Sequence, residues 1–286
     1  MAHVAVVTDT TAYLPAELAR ERGINLVSLY VNWEDRSERE LDMPDFEDFY
    51  SRLRQTQQLP TTSQPSIGDF LEVYEPLLDS GREVVSIHIS GGISGTVEGA
   101  RQAASRVEQS KGRRVAVIDS ATACGGLGLV ALAAARAAAL GADTDQVVKV
   151  AEQARGDLKM WFAVDTLEYL RRGGRIGAAS AWLGSALKIK PILTLEEQIT
   201  PIERVRTGNR AVARLVDYAQ QRKADGAGAW VVQHIQAPEQ AQKIVEAAQE
   251  IMEVPPVFIS EIGPVIGAHV GPGLLGIGGI PASYLE

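Results

Sequence analysis

The sequence predicts an α/β fold made of two domains. Strand-like and helix-like segments alternate along the 286 residues, which is typical of α/β proteins. Up to about residue 158 the repeating unit is strand, loop and helix, as in a parallel sheet, whereas a hairpin pattern follows and indicates a mixed sheet. We therefore expect an N-terminal parallel-sheet α/β/α domain over residues 1–158 and a C-terminal α/β domain with a mixed sheet over residues 159–286.

In the N-terminal part, apolar runs that end at polar residues or glycine predict the strands. Strands are expected at residues 4–7, 24–33, 83–89 and 114–118, and helices after Pro15, at 66–78, up to 107, at 126–140 and at 144–154. Ser66 suits a helix N-cap, and Asp69 three residues later supports it. The charged segment 34–48 is expected to begin as a surface loop, and the segment 60–66, which contains two prolines, is expected to be an extended loop.

In the C-terminal part, a strand at 160–164 and a helix at 166–172 precede a glycine break. Residues 192–194 and 200–206 predict a hairpin with its turn at 196–198. Further strands are expected at 230–235 and 257–262, and helices at 209–223 and 239–251. The tail at 263–280 is glycine-rich with short apolar runs, and the sequence assigns no element to it.

Composition excludes several classes of function. The formal net charge of -8 and the isoelectric point near 5.2 argue against nucleic-acid binding and against docking on anionic lipid. Cys124 cannot form an internal disulfide because it is the single cysteine, which favours a reducing compartment. The N-terminus lacks signal-peptide features, and the apolar stretch at 125–140 is short of the roughly 20 residues that span a membrane. We expect a cytoplasmic protein without stable membrane insertion.

Three loops of small residues are candidate ligand sites, at 61–65, 91–96 and 267–273. The second follows a strand and opens a helix, where free N–H groups and hydroxyls suit an anion. Its glycine spacing matches neither a Walker loop nor a dinucleotide fingerprint, and an ordinary turn with an N-cap explains it equally well. His269 in the third loop is flanked by glycines, which favours close contact with a ligand or another domain, although a satisfied core histidine is the simpler interpretation.

Catalytic and metal chemistry find little support. The sequence has no pair of cysteines and no His-x-x-x-His, so no metal site is expected. Asp9, Asp119 and Asp165 fall at strand ends, where capping the next turn accounts for them. A serine-dependent acyl hydrolase using Ser94 and His269 stays open as an alternative, although the Gly-x-Ser-x-Gly pattern fails at its last position.

Arg171, Arg172 and Arg175 surround a glycine turn at 173–174. Cations at a helix C-terminus followed by a glycine stop explain the pattern. A surface that contacts a partner or a phosphate group is the functional alternative for Arg172 and Arg175.

Taken together, six segments make the chain resemble the DegV family along almost its whole length. These segments are 8–15, 62–66, 93–96, 165–177, 189–193 and 266–273, and they occur in the family's order. The resemblance implies a DegV-like fold of two α/β domains with a lipid site between them. It also implies a FakB-type role: no cofactor, one bound long-chain fatty acid such as palmitate, stearate or oleate, and presentation to a separate fatty acid kinase in phospholipid synthesis. Such a carrier is not itself an enzyme, and we expect a monomer.

The family's carboxylate-binding positions match Thr62 and Ser94, with His269 as a further head-group contact and Ser63, Gly95 and Thr96 as neighbours. Many relatives have hydroxyl residues where this chain has Gly91 and Gly92, which removes a hydroxyl contact there. A buried carboxylate needs polar partners, and two hydroxyls, backbone N–H groups and an imidazole supply them without a fixed arginine. We hypothesise that His269 is at least partly protonated when a carboxylate is bound.

Overall fold

The computed structural model describes residues 3–34, 36–43, 45–183 and 189–286. The strands are β1 (Val4–Asp9), β2 (Ile24–Val27), β3 (Tyr30–Trp33), β4 (Arg36–Arg39), β5 (Thr61–Ser63), β6 (Glu83–His88), β7 (Val115–Asp119), β8 (Lys159–Ala163), β9 (Lys190–Glu196), β10 (Gln198–Val205), β11 (Ala229–His234), β12 (Phe258–Glu261) and β13 (Leu275–Ile280). The helices are α1 (Ala16–Glu21), α2 (Glu47–Gln55), α3 (Ile67–Asp79), α4 (Thr96–Lys111), α5 (Cys124–Ala139), α6 (Thr144–Asp157), α7 (Glu168–Arg172), α8 (Gly208–Ala224), α9 (Pro238–Met252) and α10 (Pro264–Val270).

The first sheet is parallel and four-stranded, in the order β2-β1-β6-β7. Its central strands are buried because helices cover both faces, so β1 reads as a continuous apolar run ending at Asp9. Helices α3 and α4 pack on one face around Phe70 and Tyr74. Ser66 caps α3, and its hydroxyl and Asp69 bond each other's backbone N–H, which confirms the predicted N-cap.

The second sheet is mixed and six-stranded, in the order β10-β9-β8-β13-β11-β12. Only the β11–β12 pair is parallel among its described pairs. Helices α8 and α9 cover its outer face around Trp230 and Leu215. The α/β fold with one parallel and one mixed sheet is therefore confirmed, and so is the hairpin, whose turn is at Glu197. The domain boundary near residue 158 stays a prediction.

Helix α5 lies between the two sheets and contacts both β1 and β11. Its first turns contain Gly125, Gly126 and Gly128, and side chains would not fit there. A Cβ on Gly125 would lie 2.6 Å from Cγ2 of Val231 in the second sheet, and one on Gly128 would lie 3.1 Å from Cδ2 of Leu14. The small residues of α5 therefore let two sheets approach one buried helix, and a single apolar core joins all three layers.

Three segments of the first half differ from the sequence predictions. Residues 24–33 form two strands in different sheets, because β2 joins the parallel sheet whereas β3 pairs with β4 and β5 in a separate antiparallel sheet. The segment 34–48, which was expected to begin as a surface loop, contains β4 and a 3₁₀ turn at Glu40–Asp42 in which Glu40 is buried, although residues 35 and 44 lie outside the described part. Likewise, the loop expected at 60–66 contains β5. Pairing between distant segments decided these strands.

The C-terminal tail contains two elements that the sequence analysis did not assign. Residues 264–270 form α10, and residues 275–280 form β13, which lies between β8 and β11 inside the second sheet. Glycine is a poor strand former, so the three glycines of β13 conceal the strand in the sequence. Gly278 is required by packing, because its Cβ would lie 2.3 Å from Cβ of Met160 on the neighbouring strand. The helix expected to begin at Thr166 begins at Glu168.

Candidate functional site

A cavity of about 360 Å³ lies between the two sheets. The six-stranded sheet contributes Met160, Phe162 and Leu195 to its lining, and the loop before α4 contributes Ile93 and Ser94. The start of α5, the strand β5 and the helix α10 complete the walls. Segments from both halves of the chain therefore enclose one cavity.

Several polar lining residues lie where the cavity meets the surface. Thr62, Arg175 and His269 also line an adjoining depression, and Ser94 and Gly95 line a second one. By contrast, the residues found only in the inner cavity are mainly apolar. The cavity thus has a polar mouth and an apolar interior, which is the division expected of a site for a ligand with one polar end.

Thr62 and His269 form a hydrogen-bonded pair at this mouth. Their Oγ1 and Nε2 atoms are 2.8 Å apart, although 207 residues separate them in sequence. Strand β5 holds Thr62 opposite Val31 of β3, and His269 occupies the last turn of α10. His269 is therefore helical and not part of a loop, which corrects the third small-residue loop of the sequence analysis.

The environment of His269 favours a neutral imidazole. Burial and the positive charge of Arg175 lower the pKa of His269 to about 4. Its buried Nδ1 has no hydrogen-bond partner among the described residues. Gly173 lies against this atom so closely that a Cβ there would be 2.4 Å from Nδ1. Among the described residues the histidine is therefore hydrogen-bonded through Nε2 alone, in contrast to the simpler interpretation as a satisfied core residue.

The glycines around His269 fit tertiary contacts. A Cβ on Gly267 would lie 2.3 Å from the Tyr50 hydroxyl, and Gly271, at a φ of 75°, packs against the ring of Tyr169. Since Tyr50 belongs to α2 in the first half of the chain, Gly267 permits close contact between distant segments. The sequence left open whether these glycines permit contact with a ligand or with another domain, and Gly267 fits the second explanation.

Ser94 lies in the turn before α4 and reaches the cavity. Its hydroxyl is 2.8 Å from Oγ1 of Thr96 and accepts a hydrogen bond from the Thr96 backbone N–H. Thr96 itself is fully buried and lies outside the cavity lining, so it positions Ser94. Gly95 and Ser63 do line the cavity. Gly91 and Gly92 do not, because they pack against Asp119 and the backbone oxygen of Glu197.

The two arginines differ in position. Arg175 lines the cavity and both depressions, and it donates hydrogen bonds to the backbone oxygens of Ile93 and Gly173. Arg172 lines only the depression beside His269 and is held by the backbone oxygen of Gln57. Arg175 therefore stands at the mouth beside the candidate head-group residues, for which the sequence predicted partners other than a fixed arginine.

A hydrolytic pair of Ser94 and His269 is not formed. The hydroxyl of Ser94 is bonded to Thr96, and the ring of His269 is bonded to Thr62. Within residues 3–34, 36–43, 45–183 and 189–286, no three His, Cys, Asp or Glu side chains are grouped closely enough to hold a metal ion. In the same ranges no helix has the length and hydrophobicity needed to cross a bilayer.

Comparison with known proteins agrees with this geometry. A family model described as "Uncharacterised protein, DegV family" matches residues 3–282. The chain belongs to the DegV family. A DegV domain-containing protein of Streptomyces coelicolor is 41% identical over 278 residues, covering 96% of this chain and 97% of that protein.

Solved DegV structures share the whole fold. The crystal structure of DegV from Bacillus subtilis, described as a fatty acid binding protein, has a TM-score of 0.88 at 36% identity and covers 98% of this chain and 100% of that one. A DegV family protein from Thermus thermophilus, whose structure is described as showing fatty acid binding, has a TM-score of 0.86 at 34% identity. The match covers 98% of this chain and 99% of that one.

Sequence reasoning missed part of this DegV cavity. Gln64 lines it, and its amide lies so close to Gly95 that a Cβ there would be 1.9 Å from Oε1. The position next to Thr62 and Ser63 in one motif was a usable signal for Gln64. Phe162, Gln233 and Gly276 also line the cavity, but they come from three different strands and no local pattern marks them.

A second hydrogen-bond network that contains a histidine lies in the core of the first sheet. His88 Nδ1 is 3.0 Å from Oδ2 of Asp9, and its Nε2 is 2.7 Å from Oγ of Ser86, which in turn contacts the Tyr74 hydroxyl. These residues have the order of a catalytic triad, but Asp9, Ser86 and His88 are all 0% exposed. His88 is therefore a core histidine with both ring nitrogens hydrogen-bonded.

A buried acid lies at the other end of α10. Glu40 accepts hydrogen bonds from the Val265 backbone N–H at 2.8 Å and from the Tyr13 hydroxyl at 2.9 Å. Its second oxygen has no partner among the described residues. Burial raises the pKa of Glu40 to about 7. The helix that carries His269 therefore begins at a carboxyl group that titrates near neutral pH.

Proposed function

We propose that this chain binds one long-chain fatty acid, with the carboxylate at the polar mouth and the tail in the apolar interior. The observation that carries the proposal is the division of a single cavity into a polar end at the surface and an apolar end between the sheets. The related proteins described as fatty acid binding support the ligand class. Palmitate, stearate and oleate have the matching chemistry.

The Thr62–His269 pair supports the binding of an anion. In one tautomer the neutral imidazole donates its Nε2 hydrogen to Oγ1 of Thr62, since the two atoms are 2.8 Å apart. The hydroxyl hydrogen of Thr62 is then free to be donated to a carboxylate oxygen. His269 would thus orient Thr62, and a bound carboxylate would favour protonation of the imidazole by its negative charge.

Ser94 and Arg175 supply the second half of the head-group site. Ser94 precedes the sixteen-residue helix α4, whose N-terminal dipole favours a negative charge. Arg175 is anchored by two backbone oxygens and brings a fixed positive charge to the same mouth. Gly95 and Ser63 allow close approach to the backbone and add a further hydroxyl.

The tail makes binding favourable against water but not against a bilayer. Each buried methylene contributes about 0.8 kcal/mol, which is roughly 10 kcal/mol for a sixteen-carbon tail. A fatty acid in a membrane already has its tail out of water, so the protein competes through the head group and the fit of the tail. We infer that the polar mouth determines net loading.

We further propose that the chain is a monomeric carrier and not an enzyme, and that it presents the carboxyl group to a separate fatty acid kinase. The acyl phosphate formed there would enter phospholipid synthesis. Arg172 and Arg175 are exposed beside the mouth, where they could contact the kinase or the new phosphate group. The kinase step rests on the family resemblance, and the separate bonding of Ser94 and His269 supports the non-catalytic assignment.

The experiment is native mass spectrometry of the purified protein, followed by organic extraction and lipid analysis. The expected result is one C14–C18 fatty acid per chain, released unchanged on denaturation. Replacement of both hydroxyls in Thr62→Val/Ser94→Ala should reduce the loaded fraction at least tenfold, because the buried carboxylate loses two donors.

The control is Ser105→Ala/Ser110→Ala, which removes two exposed hydroxyls of α4 that line neither the cavity nor the two depressions. It should keep full loading. A protein that carries no lipid and takes up neither palmitate nor oleate would contradict the proposal. Turnover of an acyl ester that is lost in Ser94→Ala would instead support the hydrolase.

A further inference from the structure

One row of residues crosses the inner face of the six-stranded sheet. Phe162 of β8 pairs with Gly276 of β13, and Gly276 pairs with Gln233 of β11. Residues paired across neighbouring strands point to the same face. Because Gly276 has no side chain, the row has a gap between Phe162 and Gln233, and all three residues line the cavity.

Packing within the protein does not require a glycine at this position. A Cβ on Gly276 would meet its nearest atoms at 3.6, 3.8 and 3.9 Å, which are ordinary van der Waals distances, and its φ is not positive. Gly278 lies on the same face two residues later, and its Cβ would be 2.3 Å from Cβ of Met160. The space above Gly278 is thus filled by Met160, whereas the space above Gly276 belongs to the cavity.

The gap lies outside the two surface depressions that adjoin the polar mouth. His269 precedes β13, and the lining continues along the chain through Leu274 to Gly276. Gly276 lines neither of the surface depressions that share Thr62 and His269 or Ser94.

A fixed side chain bounds the gap. Gln233 is 2% exposed, accepts a hydrogen bond from the Gly125 backbone N–H and donates one to Oγ of Ser260 at 2.8 Å. An amide held at both ends cannot swing aside without leaving buried polar groups unpaired. Gln233 is therefore a fixed part of the cavity wall beside Gly276.

We propose that Gly276 receives the methyl end of the acyl tail and sets the longest chain that this protein accepts. The inference rests on the proposed binding of a fatty acid and adds the residue that determines chain length. A side chain at position 276 would occupy the end of the tail site and leave the head-group contacts unchanged. Longer acids would then lose affinity, whereas shorter ones would keep it.

The test measures the affinities of saturated C12, C14, C16 and C18 acids by displacement of a fluorescent fatty acid from delipidated protein. Gly276→Val should lower the ratio of C18 to C14 affinity at least tenfold and keep C14 affinity within about threefold. This equals the loss of roughly two methylene contacts at about fourfold each. Gly276→Ala should shift the same ratio about threefold, so the test survives if the valine variant fails to fold.

The control is Gly156→Ala on α6, where a Cβ meets no atom within 4 Å. It should keep the wild-type ratio. An unchanged ratio in both Gly276 variants, or an equal loss at every chain length, would overturn the role of Gly276 while wild-type binding still supports the proposed function. Absence of binding by the wild type would overturn both.

Discussion

His88 and His269 each contact a hydroxyl through Nε2, but they differ at the other ring nitrogen. Nδ1 of His88 is paired with Asp9, and the ring packs edge-on against Phe70 within a fully buried hydrogen-bond network. Nδ1 of His269 has no partner within the described residues, and Glu40 at the opposite end of α10 also keeps one unpaired oxygen. Buried polar groups are normally hydrogen-bonded. An unpaired ring nitrogen beside a cavity therefore suggests a ligand site, whereas a histidine with both ring nitrogens paired has a structural role.

The largest expected effect is on the fully paired hydrogen-bond network around His88. His88→Ala should lower the free energy of unfolding by about 3–5 kcal/mol, because it leaves a cavity and unpaired groups on Asp9 and Ser86. Urea denaturation measures this loss. Any variant protein that folds should bind fatty acid as the wild type does. A change below 1 kcal/mol would contradict the structural assignment of His88.

Glu40 should make stability depend on pH. Its pKa of about 7 is raised above the unfolded value of 4.5, so its contribution is full below pH 4.5 and is lost as the pH rises to about 7. The shift corresponds to about 3 kcal/mol. Glu40→Gln should flatten this part of the profile and be the more stable protein at pH 8. Glu38→Gln, on the exposed surface two residues away, should leave the profile unchanged.

His269 should respond to the ligand. Its pKa is lowered to about 4 without a fatty acid, so the neutral ring contributes stability above pH 6.5 that is lost as the pH falls to about 4. A bound carboxylate should raise the pKa by at least one unit, or about 1.4 kcal/mol. NMR titration of the ring with and without palmitate measures both values, and His234 is the internal control. A pKa in the complex no higher than in the free protein would exclude protonation on binding.

Replacing single hydroxyl groups should show the smallest effects and should distinguish the surroundings of His269 from those of His88. Thr62→Val should weaken palmitate binding about five- to tenfold, or about 1 kcal/mol, because the carboxylate loses one donor. Thr62→Ser should restore binding. Ser86→Ala should instead lower the free energy of unfolding by about 1 kcal/mol and leave binding unchanged. Equal effects of both deletions on binding would contradict the distinction between the two histidines.

The head-group residues could be found from the sequence because they lie in compact motifs. Thr62, Ser94 and His269 come from three short segments whose order matches the DegV family, and all three line the same cavity. Arg175 was predicted as a partner or phosphate contact, and its position in the mouth depends on contacts with Ile93 and Gly173. The roles of these residues in binding stay predictions.

The sequence by itself determined the α/β class, the parallel and mixed sheets, the hairpin and the segments at the mouth, because hydrophobic periodicity, turns and helix caps act over a few residues. Only the tertiary structure decided the interior of the cavity. β13 contains three glycines and has no strand signal, yet it lies inside the second sheet because it pairs with β8 and β11. The space above Gly276 and the complete bonding of His88 likewise depend on residues that are distant in sequence, and only folding brings these residues together.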